Sequence, residues 1–338
     1  MSLVRFFVLP DRADGKRYMI EMSETIEKTS KEQILKSQPR LILSALLCCA
    51  LWGSAFPCVK IGYELLAIAD TGSQILFAGY RFFLAGVLTF LLGSLMERRL
   101  LRIRRSSLPA VIGQGLLQTT GQYVCFYIAL AHMSGSKGSV INASNAFFTI
   151  FFAHFFLKNE KIHLKKALGC LVGFAGVILI NLGPGDMGGG FTLLGEGMML
   201  LCAAVYGASS VTMKRISHRE SAATLTAFQL LFGGAALIII GALLGGTVTG
   251  FTLSSAGLLF YMALLSAVAF VVWTGLLRDY PAGRVAVFGF SIPVFGVLFS
   301  GIFLGERFLS WKNLAALFLI CAGIVIVNLR KKEEKADG

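Results

Sequence analysis

Apolar runs of 17 to 24 residues recur along this chain from Leu41 onward, and they decide its fold class. A helix rises about 1.5 Å per residue, so each run is about long enough to cross a hydrocarbon core roughly 30 Å thick. Backbone polar groups inside that core must be satisfied within a helix. The sequence therefore predicts an all-α integral membrane protein with ten transmembrane helices, at approximately 41–61, 75–95, 108–131, 139–157, 166–182, 193–213, 225–244, 257–277, 286–303 and 313–329.

Composition excludes several other classes of protein. Hydrophobic residues make up 56% of the chain, charged residues 14%, and the mean hydropathy is +0.74, which is too apolar for a soluble domain. The net charge of +13 comes from short basic clusters between apolar runs, a pattern typical of membrane topology, so we expect no nucleic-acid partner. All seven cysteines lie in apolar runs without a CxxC pair, which indicates packing and predicts neither a disulfide framework nor a metal site.

The chain contains an internal duplication. Residues 322–329 repeat residues 175–182 with four identities and four aliphatic exchanges, and an acid–base pair precedes each copy, Glu306-Arg307 and Glu160-Lys161. Trp52-Gly53 and Lys60 correspond to Tyr206-Gly207 and Lys214 at an offset of 154. The duplication predicts two five-helix repeats at 41–182 and 193–329, joined by a Gly-rich connector at 183–192. Residues 1–40 and 330–338 are predicted to be cytoplasmic tails, the first poorly ordered.

The distribution of lysine and arginine predicts the orientation in the membrane. Alternate loops, counted from the N-terminal tail, hold 26 of these residues, whereas the intervening loops hold three. The positive-inside rule then places both termini in the cytoplasm. Each repeat has five spans, an odd number, so the second repeat crosses the membrane in the opposite direction. Inverted-topology repeats are typical of transporters that expose a site near the bilayer midplane to each side in turn.

Short motifs give the duplicated units a resemblance to the drug/metabolite transporter superfamily, in its EamA-type branch. The resemblance covers about residues 41 to 330. The motifs are Ala50-Leu51-Trp52-Gly53-Ser54-Ala55-Phe56, Arg81-Phe82 and Leu304-Gly305-Glu306-Arg307. It implies a central substrate cavity surrounded by spans 1–4 and 6–9, in a bacterial cytoplasmic membrane. One departure concerns the fourth span, where Phe147 stands in the position that Pro293 occupies in the ninth.

Two repeat-related aromatic residues are candidate substrate-binding residues. Trp52 lies about halfway along the first span, although tryptophan is more typical of the membrane interface. This position favours a cavity or a partner helix over lipid. Tyr206 corresponds to Trp52 in the second repeat, so we predict that both residues face one cavity from opposite sides. The alternative is close helix packing around the small residues Gly53 and Ser54.

Buried amides form a second set of candidates. Gln114, Gln118 and Gln122 are spaced four residues apart in the third span, which places them along one helix face. We predict that Gln118 and Gln122 bind substrate, together with Asn145 of the fourth span. Interhelical hydrogen bonding is the alternative role for these amides, worth about 0.6 kcal/mol for each contact.

Apart from Lys60 and Arg81, every lysine and arginine lies in a loop, in a tail or at the end of a span. A central charge costs roughly 2.5–3.5 kcal/mol on insertion scales. Lys60 stands within two residues of its span's outer end and can reach the interface, whereas Arg81 lies about six residues in. No acid occupies a helical pairing position beside Arg81, so its partner must come from another span, water or substrate. Both residues are included among the predicted substrate-binding residues. The alternatives are a position at the membrane interface for Lys60 and a structural role for Arg81, which matches a recurring position of the family that the chain resembles.

The sequence thus predicts a secondary transporter that exports a small metabolite or organic compound by alternating access. Direction and substrate class follow from the resemblance. No catalytic set and no cofactor-binding motif appears. The alternatives are a membrane scaffold or sensor that does not transport, and a membrane-embedded enzyme. The predicted partners are the lipid bilayer and a small-molecule substrate. The sequence does not decide between a monomer and a homodimer.

Overall fold

The computed structural model describes residues 12–158, 160–181, 192–305 and 311–328. These ranges are helical and contain no strand. The α-helices are α1 (Arg12–Leu65), α2 (Thr71–Met96), α3 (Leu108–Gln114), α4 (Gln122–Ala131), α5 (Gly135–Asn142), α6 (Ser144–Phe156), α7 (Leu164–Asn181), α8 (Met198–Ile216), α9 (Ala222–Leu243), α10 (Leu253–Asp279), α11 (Ala282–Ala286), α12 (Ile292–Leu304) and α13 (Trp311–Asn328).

The chain divides into two compact units, residues 1–43 and residues 44–338. Every candidate site residue belongs to the second unit. Helix α1 begins at Arg12, within the segment that the sequence analysis assigns to the N-terminal tail. The connector 183–192, apart from Thr192, the pair Glu306-Arg307 and the C-terminal tail lie outside the described residues.

Seven helical segments within the described ranges are long and apolar enough to cross a membrane. They are Pro39–Leu65, Thr71–Met96, Gly135–Phe156, Leu193–Ile216, Ala222–Leu243, Leu253–Asp279 and Ala282–Leu304. The multi-pass, all-helical fold is therefore confirmed. The other three predicted spans, 108–131, 166–182 and 313–329, coincide with helices that are not among these seven, so the count of ten and the inverted repeats stay predictions.

Three of the predicted spans are interrupted helices. A π-helical segment, Gly115–Gly121, separates α3 from α4. The fourth predicted span breaks at Ala143, between α5 and α6, where the Ser144 hydroxyl donates a hydrogen bond of 2.7 Å to the Ile141 carbonyl. Serine hydroxyls that bond back to the preceding turn commonly bend helices, so this helix bends without the proline that Phe147 replaces.

The matching ninth span is interrupted as well. A 3₁₀ segment, Val287–Ser291, lies between α11 and α12, and Pro293 stands at the start of α12. Proline suits the first turn of a helix because the missing N–H has no partner there in any case. The two corresponding helices are therefore broken at similar points by different residues.

Close packing of glycines joins helices from the two halves of the chain. A Cβ atom added to Gly79 of α2 would lie 2.7 Å from the Ile238 nitrogen of α9, and one added to Gly241 of α9 would lie 2.6 Å from the Leu76 nitrogen of α2. Small residues allow such backbone contact between membrane helices. Helices α7 and α13 meet in the same way, since a Cβ on Gly323 would lie 2.6 Å from the Gly169 oxygen.

Candidate functional site

An aromatic cluster surrounds Trp52 at the centre of the bundle. The Trp52 ring meets Tyr206 of α8 edge to face at a centroid distance of 6.2 Å. It also contacts Phe270 at 5.5 Å and Trp273 at 4.9 Å, both from α10. Aromatic rings prefer such tilted contacts because the positive edge of one ring faces the negative face of another. The predicted convergence of Trp52 and Tyr206 is present in the structure.

Beside this cluster lies a cavity that five of the seven predicted site residues line. These five residues are Trp52, Arg81, Gln122, Asn145 and Tyr206. The cavity volume is about 30 Å³, far below the roughly 300–1,000 Å³ of typical small-molecule sites. The cavity is therefore too small for an organic solute as it stands, and the helices around it must separate before a solute can enter.

Arg81 is fully buried and its protein partners are neutral. Its Nε donates to the Met262 carbonyl at 3.3 Å and to the Ser266 hydroxyl at 3.1 Å, while one terminal nitrogen donates to the Tyr127 hydroxyl at 3.2 Å. Among the described residues it forms no ion pair. The guanidinium carbon also lies 4.8 Å from the centre of the Phe82 ring, a cation–π distance.

Three polar atoms of cavity-lining residues have no hydrogen-bond partner within the described ranges. They are the Trp52 Nε1, the Tyr206 hydroxyl and the Gln122 Oε1. Buried polar atoms are nearly always hydrogen-bonded, so unsatisfied atoms around one cavity indicate groups that a ligand or water can satisfy. With Arg81, the cavity offers several donors and one amide acceptor beside aromatic walls.

Gln118 does not line the cavity, although Gln122 does. Gln114 donates from Nε2 to the Gln118 Oε1 at 2.8 Å and to the Ser209 carbonyl at 3.1 Å. The cause is the π-helical segment at 115–121, whose wider turn changes the direction of side chains relative to an α-helix. The single inward face expected for three glutamines is thus divided between a helix–helix contact and the cavity.

Lys60 also lies away from the cavity lining. Its ammonium donates to the carbonyls of Met133 at 2.9 Å and Leu130 at 3.3 Å, at the end of α4. Lys214, its counterpart in the duplication, donates to the carbonyls of Tyr280 at 2.7 Å and Arg278 at 3.2 Å, at the end of α10. Each lysine therefore links its own helix to the C-terminal carbonyl groups of a second helix, where a positive charge is favourable.

Further lining residues were not among the predicted site residues. Phe56, Tyr123, Phe126 and Asn142 also line the cavity. Tyr123 and Phe126 are three residues apart in α4, so they share a face with each other, and this spacing is the signal that could have identified them. Asn142 lies at the end of α5, three residues before Asn145.

Comparison with known proteins identifies the family. The profile of the EamA-like transporter family matches this chain twice, over residues 39–182 and over residues 193–329. The chain belongs to the EamA-like transporter family. It is a multi-pass membrane protein, and the two matches coincide with the two halves in which Trp52 and Tyr206 correspond.

Relatives of this EamA family member are named as transporters. The uncharacterized transporter YvbV of Bacillus subtilis (strain 168) is 28% identical over 311 residues, which cover 90% of this chain and 96% of the relative. A probable amino-acid metabolite efflux pump of Escherichia coli (strain K12) is 24% identical over 295 residues, covering 83% and 92% of the two chains.

A solved crystal structure shares the fold. Its TM-score is 0.69 at 18% identity, and the match covers 86% of this chain and 97% of that one. At this identity the likeness concerns the arrangement of helices alone.

Proposed function

We propose that this protein is a secondary active transporter that exports a small organic solute from the cytoplasm by alternating access, and that the solute carries a carboxylate bound by Arg81. The observation that carries the proposal is the fully buried guanidinium that lines the central cavity with only neutral protein partners. The proposed setting is a ten-helix fold of two inverted repeats in a bacterial cytoplasmic membrane, with both termini in the cytoplasm. No catalytic role is proposed.

The chemistry of the cavity supports a carboxylate ligand. A buried charge is costly unless an opposite charge or several hydrogen bonds compensate it. Among the described residues, Arg81 has hydrogen bonds only to carbonyl and hydroxyl groups. A carboxylate matches the planar guanidinium in geometry and in charge. The indole N–H of Trp52 and the Tyr206 hydroxyl are further donors beside it. The amide oxygens of Gln122 and Asn145 can accept hydrogen bonds from an ammonium group of the same solute.

One relative supports the same class of substrate. The Escherichia coli protein is named an amino-acid metabolite efflux pump. Amino acids combine a carboxylate with a side chain of variable character, and the aromatic walls suit an apolar or aromatic side chain. We extend the export direction to this chain on the same basis.

The repeat-related lysines support alternating access. Lys60 and Lys214 make equivalent contacts to helix ends, and the inverted topology would place these contacts toward opposite sides of the membrane. The small volume of the central cavity fits a closed state in which both contacts are formed. Release of one contact at a time would open the cavity to one side at a time.

Counterflow in proteoliposomes tests the proposal. Purified protein is reconstituted and loaded with a panel of amino-acid metabolites, each paired with its carboxamide. We expect the acid to exchange faster than the amide. Arg81→Gln should remove that preference and weaken exchange of the acid at least about 10-fold, since a hydrogen bond to a charged group contributes about 1.5–3 kcal/mol. Arg81→Lys, which keeps the charge, should retain part of the preference.

Arg105→Gln is the matched control for the loss of an arginine. Arg105 is exposed and does not line the central cavity, so its replacement should leave exchange unchanged. Equal transport of acid and amide by the native protein would exclude the carboxylate proposal. Absence of exchange for the whole panel, with properly inserted protein, would favour a scaffold or sensor instead.

A further inference from the structure

A second cavity lies at the end of the molecule where α2 finishes and α9 begins, away from the residues that line the central cavity. Its volume is about 710 Å³, within the usual range of small-molecule sites of about 300–1,000 Å³. Six charged residues contribute to its lining: Glu97, Arg99, Arg102, Arg104, Arg219 and Glu220. The positive-inside pattern predicts that this end faces the cytoplasm.

The charges in this second cavity are not balanced. Glu97 pairs with Arg99 at 2.9 Å, and Glu220 pairs with Arg104 at 2.9 Å. The side chains of Arg102 and Arg219 have no hydrogen-bond or ion-pair partner in the described part of the chain. Two glutamates against four arginines leave a net charge of +2 in one cavity. Two guanidinium groups are therefore available to an anion.

The start of α9 adds to the positive potential. Ser221 and Thr224 line the cavity, and the Ser221 hydroxyl accepts the Thr224 N–H at 3.2 Å as the helix cap. The N-terminus of this 22-residue helix carries a partial positive charge and N–H groups that favour anions. The helix N-terminus, Arg102 and Arg219 together provide hydrogen-bond donors suited to a phosphate group. One guanidinium group can donate two parallel hydrogen bonds to two phosphate oxygens.

Apolar side chains beside the cavity connect it to the membrane. Leu100 lines the cavity and is 58% exposed, and the last residues of α2, Leu95 and Met96, are 73% and 85% exposed. Because α2 is a membrane-spanning segment, these side chains lie where its apolar part ends and the polar headgroups begin. A phosphate in the cavity would thus stand at headgroup level with acyl chains alongside α2.

We propose that this second cavity binds a phosphate group, and that the phosphate belongs to the headgroup of an anionic phospholipid at the cytoplasmic surface. The cavity is lined from both halves of the chain, by residues 97–104 and by residues 219–224. A bound headgroup would therefore bridge the α2–α9 pair. This proposal does not depend on the substrate or direction of transport.

Binding of a short-chain anionic lipid to the purified full chain tests the proposal. Dihexanoyl phosphatidylglycerol is titrated by microscale thermophoresis, beside dihexanoyl phosphatidylcholine and glycerol 3-phosphate. We expect the anionic lipid to bind more tightly than the zwitterionic one, and binding to weaken as salt is added. Replacement of both arginines, Arg102→Gln with Arg219→Gln, should weaken it about 30-fold, since each basic residue near an anionic surface contributes about fivefold.

Arg105→Gln is the matched control, because Arg105 is exposed in the same loop but does not line the cavity. It should weaken binding far less than the double replacement. Glycerol 3-phosphate binding that the double replacement abolishes would support the phosphate site and assign it to a soluble ligand. The proposal is overturned if neither phosphate probe binds, or if the double replacement and the control lower affinity equally.

Discussion

At the scale of single residues, Trp52 combines two separable properties. Its ring packs against Tyr206, Phe270 and Trp273, and its buried indole N–H has no hydrogen-bond partner among the described residues. Truncation to alanine would remove both, and loss of a buried tryptophan costs about 3–5 kcal/mol. Phenylalanine keeps a ring but lacks the N–H, so it distinguishes substrate binding from packing.

We therefore expect Trp52→Phe to fold with nearly native stability and to raise the KM for exchange about fivefold or more, the effect of one hydrogen bond of about 1 kcal/mol. Trp273→Phe is the matched control, since Trp273 belongs to the same cluster but does not line the cavity. Counterflow rates and thermal unfolding of the two variants provide the comparison. Equal transport defects in both would assign Trp52 to packing.

Glu220 gives a residue-scale prediction that depends on pH. Burial raises the pKa of its carboxyl, but hydrogen bonds from Ser107 and Arg104 more than offset this, and the pKa is lowered. A lowered folded-state pKa stabilises the fold above the unfolded value of about 4.3, and this contribution is lost as pH falls through the folded value. Glu220→Gln should therefore cost roughly 1–2 kcal/mol at pH 7.

The difference between native and Glu220→Gln protein should shrink below about pH 4. Thermal unfolding in detergent across a pH series measures it. Glu97→Gln is the control, because the Glu97 carboxylate bonds an exposed arginine only two positions away. A difference that stays constant down to pH 3 would contradict the role given to the Glu220 charge.

Residues at the centre were predictable from the sequence where a strong physical rule applied. Arg81 stood out because a charge within a span needs compensation, and Trp52 and Tyr206 because the duplication brings equivalent positions together. Gln118 lies outside the cavity lining, because the α-helical spacing that would align it with Gln122 does not hold across the π-helical segment. Nothing in the amino-acid pattern around 115–121 indicates a π-helix, since its formation depends on contacts with neighbouring helices.

At the scale of elements, the α2–α9 contact depends on glycines spaced seven residues apart. Gly72, Gly79 and Gly86 of α2 repeat at this interval, and an added Cβ at any of them would lie within 3.0 Å of the residues around Gly246, Ile238 and Leu231. Seven residues make almost two full helical turns, so the glycines share one face, and small residues on one face allow close packing of membrane helices. The glycine spacing is therefore a signal from which the contact could have been inferred. The break at Ala143 could not, because the expected proline is absent from the fourth span.

Gly79→Ala tests this contact. The added methyl would lie 2.7 Å from the Ile238 nitrogen, so the helices must move apart, and overpacking typically costs about 1–3 kcal/mol. Gly257→Ala in α10 is the control, because an added Cβ there meets nothing within 4 Å. It should stabilise the helix by up to about 1 kcal/mol. Thermal unfolding of both variants is the measurement, and similar shifts in the two would contradict close α2–α9 packing.

At the scale of the whole molecule, the duplication pairs two equivalent contacts that the proposed transport cycle would use. Lys60 donates to carbonyls at the end of α4, and Lys214 donates to carbonyls at the end of α10. In a protein built from inverted repeats, contacts at equivalent positions close opposite faces. Loss of one of them should therefore bias the molecule toward one open state, and loss of the other toward the opposite one.

Lys214→Gln should increase access to the cavity from the cytoplasm, and Lys60→Gln should increase access from outside. Asn142 lines the cavity, so Asn142→Cys in a cysteine-free background reports access through its reaction with a membrane-impermeant maleimide. We expect about a tenfold faster reaction from the favoured side, the effect of about 1.4 kcal/mol on a two-state equilibrium. Inside-out vesicles and intact cells present the two sides.

Lys161→Gln is the control, since Lys161 donates to the His154 carbonyl at 3.3 Å but joins neither α4 nor α10. If both lysine replacements increase labelling from the same side, the two contacts do not close opposite faces.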